Sequence, residues 1–367
     1  MRKIQVVGTN GKGSVCTYLA NILTAAGYKT GLYTSPHVLH KEERISIDGK
    51  QISPEDFLRL LGGKEPEEKV FLKYTDACMA YFEEQGVEIA VLETGLGGRL
   101  DPVSRYDVDE TVLTAIGMDH TDLLGDTIEQ IAMEKCATIN YQGYVVSMPQ
   151  VQAVRRIIEV TSELQNARLL FIEPEEFVLH EDGSFDYQEF TYLRTNMRGD
   201  VQPQNAATAA VAARALSHVG IFVTPEQVRQ GIAETIVPAR QQYLGEWDML
   251  VDGAHNEDAI LALEATLNSE FAERKIVLLA AAMSNKDVSA LGKIAAERGA
   301  DVVCTQVVDA RARSAQSLAE LFAGSAVEPD VGAAFELAQK KAKEQGALLV
   351  VAGSFYLAGE VLERVKA

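Results

Sequence analysis

A glycine-rich loop close to the start of the chain constrains the fold more than any other segment. The apolar run Ile4-Gln5-Val6-Val7 leads into Gly8-Thr9-Asn10-Gly11-Lys12-Gly13-Ser14, and apolar residues then recur at helical spacing as far as Ala26. A glycine-rich turn between a strand and a helix directs backbone N–H groups and the helix N-terminus at one point, where an anion can be held. The sequence therefore predicts a phosphate-binding loop, in which Lys12 adds a positive charge for terminal phosphates.

The loop departs in two places from the strict phosphate-loop pattern G-x-x-x-x-G-K-[ST]. Val6 stands where the first glycine falls, and Gly13 separates Lys12 from Ser14. The alternative interpretation is a glycine-rich connecting turn that binds nothing. A lysine and a serine at the start of the helix favour the phosphate loop, because a connecting turn has no need of them.

Short apolar runs and helical patterns continue to alternate after the loop. The runs typical of buried strands are Thr30–Thr34, Glu88–Leu92 and Thr111–Ile116. Helices are predicted over Tyr74–Glu84 and over Thr127–Thr138, the second opened by a Thr-x-x-Gln capping box. Alternation of this kind predicts an α/β fold, with a parallel sheet covered by helices on both faces.

The pattern changes twice along the chain, which indicates two domains. Between residues 165 and 200 the runs are shorter and more polar and predict hairpins or a small inserted sheet; they are Leu169–Ile172, Phe177–Leu179 and Phe185–Leu193. After an alanine-rich helix at Asn205–Leu216, a second series of strands separated by helices follows; these strands are Met249–Val251, Ile276–Ala282, Val302–Gln306 and Leu348–Ala352. We therefore predict a phosphate-loop domain over residues 1–242 and a smaller, Rossmann-like α/β domain over residues 243–367.

Charge and cysteine content exclude several classes of function. Lysine and arginine number 34 against 53 aspartate and glutamate, a net charge of −19, so the protein repels polyanions and we expect no nucleic-acid partner. The four cysteines have no short metal-ligand spacing and indicate reduced thiols in a cytoplasmic protein. No apolar run reaches the length of a membrane span, and the first residues do not resemble a signal peptide, so we expect neither a membrane partner nor export.

Two polar residues follow predicted strands on either side of the phosphate loop. Glu93 ends one predicted strand, and His120 closely follows the next. Ligands bind at this edge of open α/β sheets, so Lys12, Glu93 and His120 are expected to gather there. A buried carboxylate beside a phosphate loop favours Mg²⁺ as its partner. The alternatives are a Glu93 that caps the next element and a His120 with a structural role.

Lys135 lies on the apolar face of a predicted helix. On the helix that begins at Thr127, Lys135 falls within the stripe formed by Ile128, Ile131 and Ala132. Partial burial favours a neutral amine, and a neutral amine near a metal can react with CO₂ to give a carbamate. The alternative is a lysine whose stem covers the apolar face while its ammonium reaches water.

Charged residues also follow strands in the second half of the chain. Asp252, directly after a predicted strand, can accept hydrogen bonds from ribose hydroxyls, and Arg240 just upstream can meet phosphate. Arg311 and Arg313 follow another strand and can hold a carboxylate in a bidentate manner. Taken singly, each of these charges is also explained as a solvated loop residue.

Taken together, these residues resemble the folylpolyglutamate synthase/dihydrofolate synthase branch of the Mur ligase family. The matching segments occur in the family's order; they are Gly8–Ser14, Thr34-Ser35-Pro36-His37, Glu93–Asp101, Gly117–Thr121, Gly125-Asp126-Thr127, Glu134-Lys135, Gln202-x-x-Asn205-Ala206, Asp252–Asn256 and Gly353-Ser354-Phe355-Tyr356. Single motifs are moderately specific, whereas the ordered set runs from residue 8 to residue 356 and is strong support for the resemblance.

The resemblance implies an ATP-dependent amide ligase of folate biosynthesis and one-carbon metabolism. In such an enzyme a substrate carboxylate takes the γ-phosphate of ATP to become an acyl phosphate, and the amine of an amino acid attacks it. The ligands implied are ATP, Mg²⁺, L-glutamate and a folate-like acceptor. The resemblance also implies that the first domain binds ATP and that the enzyme is a monomer.

The resemblance assigns roles to residues at matching positions. It implies phosphate and nucleotide contacts at Asn10, Gly11, Lys12, Gly13, Ser14, Asn205, Arg240 and Asp252. It implies Mg²⁺ ligands at Ser35, Glu93 and His120. Lys135 matches a carbamylated lysine, so the predicted catalytic residues are Lys12, His120 and Lys135. Closure of the two domains is expected to complete the site, because Arg240 and Asp252 come from the domain boundary.

The sequence departs from the family pattern at positions that face the pterin. Seven residues precede Gly8, where the family has a longer helical segment. Leu72 replaces an acidic residue, Pro102-Val103-Ser104 replaces Ala-Thr-Asn, and Ala239 replaces the glycine of Pro-Gly-Arg. Two alternatives therefore stay open: a family ligase that acts on a non-folate carboxylate, and a nucleotide-binding NTPase without ligase activity. The NTPase leaves Lys135 without an explanation.

Overall fold

The computed structural model describes residues 1–366, which divide into two compact units. Unit 1 comprises Met1–His37, Lys41–Asn196 and Val201–Ile236. Unit 2 comprises Val38–His40, Met197–Asp200 and the chain from Val237 onward. The predicted limits of 1–242 and 243–367 differ from this division by the stretch 237–242 and by two short excursions of the chain into unit 2.

Unit 1 is built on an eight-stranded sheet. Its strands are β1 (Arg2–Val7), β2 (Thr30–Tyr33), β3 (Ile45–Ile47), β4 (Lys50–Gln51), β5 (Ile89–Glu93), β6 (Glu110–Leu113), β7 (Tyr144–Ser147) and β8 (Arg168–Phe171). Their order across the sheet is β4-β3-β2-β5-β1-β6-β7-β8, and neighbours are parallel from β2 across to β8. The central position of β5 explains its apolar sequence, since all five of its residues are buried.

Helices cover the sheet and pack closely against one another. The helices of unit 1 are α1 (Lys12–Ala25), α2 (Pro54–Leu60), α3 (Val70–Glu84), α4 (Thr121–Leu124), α5 (Ile128–Cys136), α6 (Gln152–Leu164), α7 (Gln202–Ala215) and α8 (Pro225–Ala233). Small residues allow the close packing: a Cβ at Gly231 of α8 would lie 2.5 Å from the backbone of Ile22 on α1. The parallel sheet and its helices confirm the predicted fold class, and the capping box of Thr127 and Gln130 is present at the start of α5.

One predicted element was wrong. Leu169–Ile172 was expected to belong to a hairpin or a small inserted sheet, but β8 pairs in parallel with β7 at the edge of the main sheet. An edge strand buries only part of its surface, and the alternation of exposed and half-buried residues in β8 gives the run its polar character. The other two runs form a separate antiparallel sheet of three strands, β9 (Phe177–Leu179), β10 (Phe185–Tyr187) and β11 (Phe190–Leu193).

Unit 2 contains a six-stranded sheet of order β12-β13-β17-β14-β15-β16. Its strands are β12 (Gln242–Leu244), β13 (Met249–Val251), β14 (Ile276–Ala280), β15 (Asp301–Cys304), β16 (Ala326–Val327) and β17 (Leu348–Ala352). Its helices are α9 (Glu257–Glu270), α10 (Ser289–Glu297), α11 (Ala315–Ala319), α12 (Val331–Gln345) and α13 (Phe355–Lys366). All neighbouring strands are parallel except the edge pair β12–β13, as expected of a Rossmann-like domain. Within residues 1–366, no helix combines the length and the apolar character that crossing a bilayer requires.

Candidate functional site

The loop between β1 and α1 is held in place by the segment that follows β6. The backbone N–H groups of Thr9 and Asn10 donate to the carbonyl oxygen of Ala115, at 2.8 and 3.2 Å. Gly11 turns the chain into α1 with a φ of +87°, in the left-handed region that favours glycine. A Cβ at Gly11 would lie 2.7 Å from Oδ1 of Asn205, so the loop also touches α7. The first turn of α1 contains no acidic residue, which leaves its N-terminus suited to an anion.

Two lysine side chains converge on the carbonyl oxygen of Gly8. Nζ of Lys12 donates to this oxygen at 3.1 Å and to the carbonyl oxygen of Thr9 at 3.0 Å. Nζ of Lys135, in the last turn of α5, donates to the Gly8 oxygen at 2.8 Å. Lys135 is only 4% exposed, so its ammonium does not reach water as the alternative interpretation required.

The surroundings of Lys135 favour its neutral form. Burial, followed by the positive charge of Lys12, lowers the pKa of Lys135 to about 7, while Asp119 and Asp101 act in the opposite direction. A lysine with a lowered pKa carries a substantial neutral fraction near pH 7, and neutral amines are nucleophiles.

Glu93 and Ser35 meet at the carboxyl ends of neighbouring strands. Glu93 is the last residue of β5 and is 2% exposed. Its Oε2 accepts a hydrogen bond of 2.8 Å from the backbone N–H of Ser35, which follows β2. Glu93 lies beside Val6 in the register of β5 and β1, just before the phosphate loop. Glu93 and Ser35 therefore both border this loop.

His120 lies just beyond β6, on the opposite side of the loop. It adopts a left-handed φ of +50° immediately before α4, and its N–H donates to Oδ1 of Asp119 at 2.8 Å. The ring atom Nε2 lies 3.8 Å from the same oxygen. Asp119 also acts electrostatically on Lys135, which connects this pair to the lysine.

The oxygen donors at this edge suit a hard cation. Ser35 and Glu93 supply a hydroxyl and a buried carboxylate, the ligand types that Mg²⁺ prefers. Within residues 1–366, no three His, Cys, Asp or Glu side chains converge into a metal-binding group. A small number of ligands from the protein fits Mg²⁺, because this ion usually keeps several waters and takes other ligands from substrate phosphates.

Asp101 organises the loop after β5, a role that the sequence analysis did not assign to it. Its carboxylate is 3% exposed and accepts from three backbone N–H groups, those of Gly95 (2.8 Å), Leu96 (3.0 Å) and Val103 (2.9 Å). Burial raises the pKa of this carboxyl, although the same hydrogen bonds partly lower it. The loop packs directly on α5, since a Cβ at Gly98 would lie 2.9 Å from Cα of Lys135. The available sequence signal was an acidic residue directly after Gly-Gly-Arg-Leu.

Asn205 completes the group of predicted residues that unit 1 brings together. It is 2% exposed on α7, and its Nδ2 donates to Oε1 of Gln202 at 3.1 Å. This bond orients the amide so that Oδ1 faces Gly11 of the loop. One edge of the sheet therefore carries the phosphate loop together with Ser35, Glu93, His120, Lys135 and Asn205.

Arg240 and Asp252 lie close together in unit 2. Burial raises the pKa of Asp252 to about 7, and Arg240 opposes the shift, as do backbone hydrogen bonds from Ala254 and Gln241. The guanidinium carbon of Arg240 stands 4.5 Å from the centre of the Phe355 ring. The pair is thus partly desolvated and held in a defined position.

Other predicted residues of unit 2 have separate partners. Arg311 forms an ion pair of 2.9 Å with Asp309 and donates to the hydroxyl of Tyr356 at 3.3 Å. Arg313 donates to the carbonyl oxygen of Lys286 at 3.3 Å. The two arginines therefore hold different groups of the protein.

The fold and this edge define a nucleotide-binding α/β protein with a buried lysine beside its phosphate loop. Residues 6–213 match the Mur ligase middle domain, and residues 239–355 match the Mur ligase glutamate ligase domain. The chain belongs to the folylpolyglutamate synthase/dihydrofolate synthase branch of the Mur ligase family and is an ATP-dependent ligase. The predicted family, fold class and type of enzyme are confirmed.

Individual relatives support this assignment over most of the chain. The dihydrofolate synthase/folylpolyglutamate synthase of Bacillus subtilis is 33% identical over 310 residues, which cover 78% of this chain and 72% of the relative. FolC of Escherichia coli in complex with DHPP and ADP has a TM-score of 0.87 and 26% identity, over 100% of this chain and 88% of that one. The bifunctional synthase of Yersinia pestis with AMPPNP and a Mn ion has a TM-score of 0.85 and 27% identity, over 100% and 89% of the two chains.

Proposed function

We propose that this ligase joins L-glutamate to the carboxylate of a folate-type acceptor, as a folylpolyglutamate synthase, a dihydrofolate synthase or both. The observation that carries the proposal is the position of Lys135, whose Nζ is buried 2.8 Å from the carbonyl oxygen of Gly8. Hydrolysis of a nucleotide needs a phosphate loop and a metal, whereas a second, partly neutral amine beside the loop supports additional chemistry.

The phosphate loop is assigned to the phosphates of ATP. We infer that the segment from Asn10 to Ser14 and the N-terminus of α1 hold the phosphate oxygens, because the first N–H groups of a helix have no acceptor within the helix. Lys12 neutralises negative charge that develops during transfer. Asn205, which faces Gly11, supports the loop from α7 and is assigned to the nucleotide.

Ser35, Glu93 and His120 are assigned to Mg²⁺. The bond from the N–H of Ser35 to Oε2 of Glu93, which brings these two residues together, supports this assignment, and His120 lies on the far side of the loop, just before α4. When bound, the ion neutralises phosphate charge and orients the transferring group.

Lys135 is assigned to a carbamate. Its neutral amine attacks CO₂, forms an N–C bond and releases one proton, so the side chain becomes an anion. The carbamate nitrogen keeps one hydrogen, which can continue to donate to the carbonyl oxygen of Gly8. The negative group would attract Lys12, which repels the uncarbamylated ammonium.

The proposed reaction takes place in two steps. A carboxylate oxygen of the acceptor attacks the γ-phosphorus of ATP, and ADP leaves with the electron pair of the broken bond. The amine of L-glutamate then attacks the acyl carbon, phosphate leaves, and the amine loses a proton. The protein contributes alignment and charge neutralisation. In unit 2, Arg240 is assigned to phosphate and Asp252 to the ribose hydroxyls.

We also propose that the enzyme is a monomer of the cytoplasm. Its four cysteine thiols are free and buried, which suits a reducing compartment. The mass of the pure protein by sedimentation equilibrium tests the first part, and a dimer mass would contradict it.

Release of ADP and the mass of the product test the function. Purified protein is given ATP, Mg²⁺ and L-glutamate with dihydropteroate, with tetrahydrofolate or with no acceptor. We expect ADP release that depends on one of the two acceptors and a product heavier by one glutamyl residue. ADP release without an acceptor would support an NTPase, and no release would point to a non-folate carboxylate.

A further inference from the structure

A buried polar network joins the end of α5 to the middle of β1. Gln5 lies in the apolar strand β1 and is 2% exposed. Its Nε2 donates to the carbonyl oxygen of Thr138 at 2.8 Å and to Oγ1 of Thr111 at 3.1 Å. The hydroxyl of Thr138 in turn donates to the carbonyl oxygen of Lys135 at 2.7 Å. The backbone of Lys135 is therefore linked to Gln5 through one residue.

The same lysine is attached to the β1 segment a second time, through its side chain. Nζ of Lys135 reaches the carbonyl oxygen of Gly8, which directly follows β1. The backbone connection at Gln5 and the side-chain connection at Gly8 form a closed ring of contacts. The backbone of Lys135 and its side-chain amine are thus both linked to the β1 segment, which leads into the phosphate loop.

Burial of the polar side chain of Gln5 destabilises the protein unless its hydrogen bonds offset that cost. Those hydrogen bonds hold the end of α5. A buried amide without hydrogen bonds destabilises a protein, and an apolar side chain would fill the same space in β1. The last carbonyl groups of a helix lack partners within it, and the short α5 ends at Cys136. Gln5 supplies a donor to the turn just after that end, which fixes the turn that carries Lys135.

Ser104 also links Gln5 to the surroundings of Lys135. The hydroxyl of Ser104 donates to the carbonyl oxygen of Gly98 at 2.7 Å and lies 3.4 Å from Oε1 of Gln5. Gly98 packs on the backbone of Lys135. Gln5 therefore stands where the loop after β5 and the end of α5 meet.

We propose that Gln5 is a positioning residue that holds Lys135 at the phosphate loop. The inference rests on the proposed function, since the position of Lys135 matters only if that lysine takes part in ligation. Gln5 itself touches no substrate and acts through the turn at Thr138.

The substitution Gln5→Met tests the inference, because methionine has a similar length and no donor. We expect kcat for ligation to fall about tenfold or more, as for other residues that support a site, with KM for ATP unchanged. Thr111→Val is the milder comparison: it removes the 3.1 Å partner of Gln5 and the longer, 3.3 Å bond from Thr111 to the Thr138 carbonyl, and it leaves the 2.8 Å bond from Gln5 to that carbonyl. Thr138→Val breaks the connection from the other side and replaces Gln5→Met if that variant does not fold.

A second readout does not depend on activity. Without substrates, Lys135 of each variant is modified by a limiting amount of acetic anhydride and its labelled fraction is measured by mass spectrometry. We expect more labelling in Gln5→Met and Thr138→Val than in Thr111→Val. Equal labelling with an unchanged kcat would overturn the positioning role. Full ligase activity in Lys135→Ala would instead overturn the assigned role of Lys135, so the two failures are distinguishable.

Discussion

Lys12 and Lys135 donate to one atom, the carbonyl oxygen of Gly8, at distances of 3.1 and 2.8 Å. Two ammonium groups around a single carbonyl repel each other, and little water is present to screen them at the buried Lys135. The repulsion is a reason, after burial, for the lowered pKa of Lys135. Carbamylation would convert this repulsion into attraction, which gives the assigned role of Lys135 a physical basis.

Removal of the Lys135 amine tests its role directly. We expect Lys135→Ala to reduce ligation by about a hundredfold or more, because it deletes a group that is fixed beside the phosphate loop. Small carboxylates such as acetate should restore part of the activity by occupying the vacated space. Lys340→Ala is the control, since Lys340 is an exposed lysine of α12. Full activity of Lys135→Ala in the ADP-release assay would contradict the assignment.

Substitution of two glycines that share one backbone conformation distinguishes the effect of backbone strain from an effect on nucleotide binding. Gly11 and Gly27 have φ values of +87° and +88°, but only Gly11 has a neighbour, Oδ1 of Asn205, within 2.7 Å of an added Cβ. We expect backbone strain to cost both alanine variants about 1 kcal/mol of stability, because alanine rarely adopts this region. Gly11→Ala should lose more, because its Cβ would also crowd Oδ1 of Asn205. Only Gly11→Ala should raise KM for ATP, since its Cβ displaces the loop. The same KM in both variants would contradict a role of this loop in binding ATP.

Glu110 predicts a dependence of stability on pH. It opens β6 and is 1% exposed, and within residues 1–366 neither of its carboxyl oxygens has a hydrogen-bond partner. Burial, and to a smaller extent Asp109, raises the pKa of Glu110 well above its ordinary value. The folded state therefore keeps a proton that the unfolded chain loses above about pH 4, and stability falls as pH rises through this window.

The variant Glu110→Gln measures this effect, because glutamine cannot ionise. The free energy of unfolding of the unsubstituted protein, minus that of the variant, should fall by about 1.4 kcal/mol for each unit that the pH rises. This fall is expected between the pKa of Glu110 in the unfolded chain and its pKa in the folded protein. Urea unfolding at several pH values provides the measurement, with the exposed Glu163→Gln as control. A stability difference between the unsubstituted protein and Glu110→Gln that does not change with pH would refute the raised pKa.

Arg240 is expected to matter for nucleotide binding. Arg240→Ala should raise KM for ATP roughly tenfold or more, the usual cost of a lost hydrogen bond to a charged group. It should also raise the pKa of Asp252 further, because Arg240 is the positive charge that opposes the effect of burial. Arg274→Ala, which removes a different ion pair of unit 2, is the control. Equal KM values for the two variants would remove Arg240 from the assigned contacts.

Local patterns in the sequence predicted those features of the site that depend on a single element. The position of Glu93 at the end of a buried strand followed from an apolar run, and the burial of Lys135 followed from helical periodicity. The contact between Lys135 and Gly8 could not be predicted, because it depends on how α5 packs over β1. That packing requires the close approach of Gly98 to the helix, which is a long-range contact.

Gln5 shows how a polar position in an apolar run was overlooked. Gln5 was counted only as part of a strand, although a glutamine inside an apolar run is itself a signal of a buried hydrogen bond. The run at 169–172 was assigned to a hairpin or a small inserted sheet because the sequence does not reveal which strand lies at the edge of a sheet. The antiparallel strands β3 and β4 were not predicted, since they are short and β4 is exposed.

Transfer of ¹⁸O from the acceptor to phosphate tests the central claim most directly. The acceptor is labelled in the carboxylate that accepts glutamate, and the phosphate released during one turnover with ATP and L-glutamate is analysed by mass. An acyl phosphate requires one labelled oxygen in each phosphate, because the amine displaces the bridging oxygen together with the phosphoryl group. Phosphate without label would mean that water, and not the acceptor carboxylate, attacks ATP, and would contradict the account.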